Sequence, residues 1–206
     1  MNICIVAEGF NFDFLKYNTN MYQRAKDILD FWFIESQPED HFKRSDIFDK
    51  KIKNNFESDY LKAIKNKLDD WQDDPKSCLA LVILLDQFSR NIYRDSDLAF
   101  AYDFKTRLIV NEAVDRGDLE NIEINQKFWL ILPLIHSEDI SDHIFAHKLC
   151  DSYLKVHPQY ENIKKQFNFH TIPIKKFGRY PHRNKVMKRS STNEEEEFLS
   201  NPNSSW

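Results

Sequence analysis

From Tyr22 onward the apolar residues of this chain come back every three or four positions, the surface period of an α-helix. That pattern predicts an all-α fold before any single motif is considered. Ala25, Ile28, Leu29 and Trp32 make the first stripe, which Pro38 closes. Ser45 has the chemistry of an N-cap for the next helix, whose face runs through Ile47 and Phe48, Ile52, Phe56, Tyr60, Ile64 and Leu68. Asp74-Pro75 reads as a cap followed by proline at the first helical position. Leu79 to Leu85 is apolar almost all round, so this helix should lie at the centre. Asp97 is expected to open a helix through Ala101, Phe104, Leu108 and Val110, ended by Gly117 in a left-handed cap. Residues 126–136 form an apolar helix that Pro133 interrupts or kinks. Ser137, with Glu138 and Asp139 behind it, should start a helix to about Val156. A further helix spans Asn162 to Phe177 with Pro173 disturbing it, and Thr192 to Glu195 is a capping box for a last one through Leu199. Helices of this length on short loops predict stacked antiparallel pairs. The expected layout is an arm over residues 1–20, one helical domain over 21–200 and a frayed tail over 201–206.

Composition narrows the function. With 206 residues the chain can bury one substantial core. Aromatic residues at 14% argue against disorder, because flat rings bury enough area to offset chain entropy. A net charge of −4 excludes a dedicated binder of duplex DNA, which would carry a basic excess. There are three glycines, Gly9, Gly117 and Gly178, so no glycine-rich phosphate loop can be written. Cys4, Cys78 and Cys150 are odd in number and widely spaced, as in a reduced chain with buried thiols. Ile3 to Ala7 is too short for a signal segment, and no apolar run reaches membrane-spanning length. The expectation is a cytoplasmic protein without membrane contact, cofactor or metal.

Three segments concentrate the polar chemistry. The first is Leu85 to Arg94, in which Asp86, Arg90 and Arg94 recur every four residues and share a stripe if the helix continues beyond Phe88. Its arginines either cap carbonyls and pair with Asp86, or converge on a phosphate or carboxylate. The second is Pro133 to Asp139, where His136 beside Glu138 and Asp139 can be an acid/base group or the start of a helix. Downstream, Asp139, His143 and His147 stand four apart, the spacing of a metal face, but without a fourth ligand. The third is Phe177 to Asn184. Gly178 and Pro181 force a turn that presents Arg179, His182, Arg183 and Asn184, with Phe177 and Tyr180 as anchors. Such dense donors suit an anion, or pair with acids of other helices to fasten the C-terminus.

Together these segments, with Ile28 to Phe33 and the closing acidic helix, resemble a bacterial family known as domain-of-unknown-function family 924. The resemblance covers roughly residues 25–200 and implies a tetratricopeptide-like α/α superhelix, with no activity attached. Three positions depart from the family pattern: Ser89 where proline is usual, Tyr180 where phenylalanine is usual, and Lys188 where glycine is common.

Two functions fit these residues. In the first, Asp86, Arg90, Arg94, Arg179, Arg183 and Asn184 bind a small anion, and His136, Glu138 and His182 supply proton transfer, in a cleft where the three segments meet. In the second, the polar segments are internal fasteners of a scaffold that holds a peptide. RNA binding through residues 175–189 is a third reading, opposed by the acids at Glu194 to Glu197.

Overall fold

The structure is a computed structural model that describes residues 22–202 and Ser204. The arm expected over 1–20, with Cys4 and Gly9, lies outside the described residues, as do 203, 205 and 206 of the tail. The described residues form one all-helical domain, and among them no strand is present. No helix among them is long and apolar enough to cross a membrane.

Helix α1 is α-helical over residues 22–30 and widens into a π-turn at Phe31–Glu35, which Ser36 closes by donating its backbone N–H to the Phe31 carbonyl at 3.0 Å. A 3-10 turn, Pro38–His41, leads to α2, Asp46–Ala63. Ser45 caps α2 by accepting from the Phe48 N–H. The helix stops short of the expected Leu68. Lys105, from a distant segment, donates to the Ala63 carbonyl at 2.8 Å and to Asn66 Oδ1 at 2.7 Å, joining the Asn66 N–H, which donates to the same carbonyl at 3.2 Å.

Helix α3, Pro75–Ile83, begins on the Asp74 cap, passes through a second π-turn at Leu84–Phe88 and ends as α4, Ser89–Ile92. Helix α5 is Asp103–Asp115, not the helix from Asp97 that the apolar spacing predicts. Asp97–Phe100 is instead a 3-10 turn, which resets the helical phase. The buried face therefore becomes Thr106, Ile109, Val110 and Ala113, and Phe104 and Leu108 point outward. Gly117 ends the helix at φ 79°, in the left-handed region where a Cβ would be strained.

Helix α6, Ile124–Ile135, carries Pro133 inside its last turn. Helix α7 is Ile140–Tyr153 with Asp139 as its cap; the hydroxyl of Ser137 instead accepts from the Asp139 N–H at 2.9 Å. Helix α8, Tyr160–Phe177, ends on Gly178 at φ 67°, and the closing α9, Asn193–Leu199, has the capping box of Thr192 and Glu195. Beyond it Asn201 and Ser204 hydrogen-bond back to the carbonyls of Glu197 and Leu199.

The core is built on α3 and α6, packed against each other with every residue from Ser77 to Ile83 and from Phe128 to Ile135 buried. Consecutive helices α5, α6, α7 and α8 pack in turn, as helical pairs should. On the other side α2 lies against the second π-turn and α4. There Phe31, Phe48, Phe56 and Phe88 interlock with ring centroids 4.9–5.9 Å apart.

Candidate functional site

The second π-turn puts a carboxylate inside the core. An α-helix that gains one residue per turn must rotate everything beyond it, and such widenings recur where a polar side chain has to be aimed inward. Asp86 sits in this turn, 1% exposed. His136, the C-cap of α6, meets it with Nδ1 at 2.8 Å from Oδ1 and 3.0 Å from Oδ2. Arg90, one turn on, pairs with the same Oδ1 at 3.0 Å. Burial alone would raise the Asp86 carboxyl, but Arg90 and His136 outweigh it and hold the group well below the usual carboxylate range. Burial pushes His136 the other way, down, with Arg90 and Arg183 adding to it against Asp86. An ionised Asp86 beside a neutral imidazole fixes the tautomer: the proton is on Nδ1, and the Nε2 lone pair is left to act as a base.

The helix continues past Phe88, but only to Ile92, so Arg94 leaves the stripe. It pairs with Asp49 of α2 (Nη2 to Oδ1 2.6 Å), which also accepts from Asn91 at 2.8 Å. Arg90 reaches instead to Asp103 at the start of α5, Nη2 to Oδ2 at 3.1 Å. Arg183, in the 3-10 turn Pro181–Arg183, takes the same Oδ2 at 3.3 Å. Its guanidinium lies between two rings, 4.4 Å from the centroid of Phe100 and 4.6 Å from that of Tyr180. Tyr180 is 6.4 Å from the His170 ring, and His170 is 6.0 Å from His136. The side chains thus close a ring: His136, Asp86, Arg90, Asp103, Arg183, Tyr180, His170. His182 stands beside it, 5.3 Å from Tyr180. Burial pushes both His170 and His182 down to about 3, so both are neutral at ordinary pH.

Arg183 is the odd member. It is 5% exposed, its side chain makes one hydrogen bond among the described residues, and its Nε has no hydrogen-bond partner among them; nor has Oδ1 of Asp103. Every other arginine with a resolved shift is raised by its acids, whereas burial lowers Arg183 despite Asp103. A buried guanidinium that spends so few of its donors is costly to hold.

The rest of the third segment is spent on fastening. Glu138 accepts from the Tyr180 N–H at 2.8 Å and from Arg189 at 2.6 and 2.9 Å. Arg179 forms a two-pronged pair with Glu195 of α9, at 2.6 and 2.8 Å, and Asn184 donates to the same carboxylate at 3.2 Å. Tyr180 donates its hydroxyl to the Ile135 carbonyl, and Phe177 packs on Phe198 at 5.5 Å. So the structure brings Asp86, Arg90, His136 and Arg183 together, with His182 close by. Glu138 lies one layer outward, and Arg94, Arg179 and Asn184 have other partners. Asp103 and His170 carry no signal in the sequence: each is a lone polar residue whose place in the ring depends on a neighbour from another segment, Arg183 for Asp103 and His136 for His170.

His143 and His147 both turn to Thr171 of α8, at 3.0 Å each, and Nε2 of His143 also reaches the Ser137 carbonyl at 2.9 Å, while Asp139 caps α7. Two surface cavities lie beside these elements. One, of about 460 Å³, is bounded by Arg107, Ser137, Glu138, Ile140 and Gly178; the other, of about 550 Å³, by Tyr22, Leu29, Phe33, Lys76 and Gln126.

Fold and ring together define, over the described residues, an all-helical single-domain protein whose C-terminal segment is tied over a buried ionic cluster. The chain belongs to the family described as bacterial protein of unknown function (DUF924), whose model matches residues 28–203. It is similar to the structure of the protein of unknown function ATU0120 from Agrobacterium tumefaciens, at 31% identity and a TM-score of 0.78, over 87% of this chain and 98% of that one. Among curated proteins none matches.

Proposed function

We propose that this protein binds a small anionic molecule at the ring of Asp86, Arg90, His136, Asp103 and Arg183, with His136 exchanging a proton with the bound molecule. The observation that carries this reading is Arg183, buried and cationic with a single 3.3 Å hydrogen bond and an unmet Nε–H. Beside it, Asp86 presets His136 as a base, the arrangement that general acid/base chemistry requires. Arg94, Arg179, Asn184 and Glu138 serve as supports that hold the walls of this site. The free, buried thiols of Cys78 and Cys150 fit a reducing, cytoplasmic setting.

The test is thermal unfolding against a panel of small carboxylates, inorganic phosphate and phosphomonoesters. A ligand at ten times its Kd adds about 1.4 kcal/mol, roughly 3–6 °C for a domain of this size. At least one anion should produce that shift in the wild type and none in Arg183→Met, with circular dichroism confirming that the variant is folded. A panel that moves neither protein, or both alike, rules the reading out.

A peptide-holding scaffold of tetratricopeptide-like helical pairs is the second reading. It is favoured by the number of charged side chains already paired and by the 550 Å³ groove with Leu29 and Phe33 in its floor. It expects no response to any small anion.

A further inference from the structure

We infer that the outer face of the α7–α8 pair is a docking surface for an acidic amphipathic helix of a partner protein. This face looks to solvent, and nothing in it depends on the anion reading of the buried ring.

The face follows from helix geometry. His143 and His147 of α7 both meet Thr171 of α8, and Asp151, further along α7, pairs with Lys164, earlier on α8, at 3.1 Å. The two helices therefore run antiparallel along a common seam. Each next residue of an α-helix turns about 100° further round. In antiparallel neighbours that turn carries Ile144, after His143, and Ile172, after Thr171, to the same side of the seam. The buried residues Ala146 and Leu149 of α7 and Ile163 and Ile174 of α8 point the other way. Ile144 is 64% exposed and Ile172 49%, with Ile140 one turn before the first and Phe169, 54% exposed, one turn before the second. Apolar side chains scattered singly over a surface need no explanation, but a row of them along one seam marks a contact site.

The charge of this face is opposite to that of the molecule. The chain as a whole has 33 acids against 29 lysines and arginines, yet residues 140–177 hold six lysines and three acids. Two of those acids are already engaged, Asp142 with Arg107 and Asp151 with Lys164. Glu161, the third, lies in the first turn of α8. Lys148 continues the stripe of Ile140 and Ile144 at the same spacing of four. On α8, Lys165 precedes Phe169 by four residues and Lys176 follows Ile172 by four. These three lysines and Lys175 are exposed, and none has an ion pair among the described residues.

An apolar row framed by cations selects its occupant. A second copy seated face to face is repelled, because lysine would meet lysine. RNA is held by arginine and by stacking on aromatic rings, whereas this row offers lysines and one ring. A lipid surface is flat, whereas a seam between two helices is filled by the ridge of a third. From Lys165 to Lys176 the face runs about 16 Å, or roughly three helical turns. That length takes a helix with apolar side chains toward the seam and acids on both flanks.

Selection of a library of random peptides of about 16 residues on the full chain, with Lys165→Glu/Lys176→Glu as the counter-target, tests this. Enriched sequences should combine aspartate or glutamate with apolar residues at helical spacing. In fluorescence anisotropy such a peptide should bind the double variant about tenfold more weakly or worse, and its affinity for the wild type should fall as salt rises. Ile144→Ser should weaken binding about threefold or more, at high salt as well, where the charges are screened. All three substituted side chains are exposed, and circular dichroism should show the wild-type fold. Arg183→Met should bind the peptide as the wild type does, so a failure of the anion site leaves this inference standing. Enrichment of basic or aperiodic sequences, equal binding by the wild type and the double variant, or no enrichment overturns it. So does lysine-dependent co-sedimentation with phosphatidylserine vesicles, retention on single-stranded RNA or self-association in place of peptide binding.

Discussion

Single residues hold the local strain and the local ties of this chain. The backbone of Lys188 lies at φ 56°, in the left-handed region that a side chain makes costly. Asn66 and Asp95 share that conformation, but their short polar side chains tolerate it better than lysine does. Lys188→Gly should therefore stabilise the protein by about 1 kcal/mol, the relieved strain offset in part by the freer unfolded chain. Urea denaturation checks this, and an unchanged or lower midpoint contradicts it. Tyr180 uses its hydroxyl to donate to the Ile135 carbonyl in the last turn of α6. Ser89 donates its hydroxyl toward the carbonyls of Asp86 and Ala99 at 3.0 and 3.1 Å. Both hydroxyls tie down backbone next to the Asp86–His136 pair.

At the scale of elements, what could be read from the sequence was whatever local chemistry decides. Ser45, Asp74 and Thr192 cap their helices, and Gly117 and Gly178 end theirs, because each acts on backbone within a few residues. The core run Leu79 to Leu85 was equally plain. Elements fixed by distant partners were not legible. The end of α2 depends on Lys105, and the choice of Asp139 over Ser137 as cap follows the donation of Arg107 to Ser137 Oγ at 2.8 Å. The π-turn that aims Asp86 inward has no sequence signature at all. The three polar segments stand out in the sequence, but Asp103, which joins two of them in the fold, does not. One cap also bears on the site. In α9 Glu195 accepts from the Thr192 N–H at 2.8 Å while holding Arg179 and Asn184. Thr192→Ala should cost about 1 kcal/mol, as cap removals do. Glu195→Ala should cost more, because it also strands Arg179 and Asn184. Equal losses in thermal unfolding would show that α9 and the third segment are not coupled.

Across the whole molecule, buried neutral histidines set a limit on acidity. Unfolded histidine takes up its proton near 6.5, whereas folded His170 and His182 stay neutral to about 3, and His136, His143 and His147 are shifted the same way. As pH falls below 6.5 the unfolded chain therefore binds more protons than the folded one. Stability is full above that value and declines toward pH 3, at up to about 1.4 kcal/mol per pH unit for each such group. The low carboxyls of Asp86 and Glu195 extend the decline further into acid. The urea midpoint should fall steadily from pH 7 to 4.5, and a flat profile would contradict the burial of these rings. The fastening of the C-terminal segment also matters during synthesis. A ribosome releases Asp86, Asp103, His136 and Glu138 long before Arg183 and Arg189. Until the last few dozen residues emerge, the partly made protein holds acids in its interior without their full set of partners. Translation that stops before Arg183 leaves a product with most of its core but with Asp103 short of one of its two arginine partners.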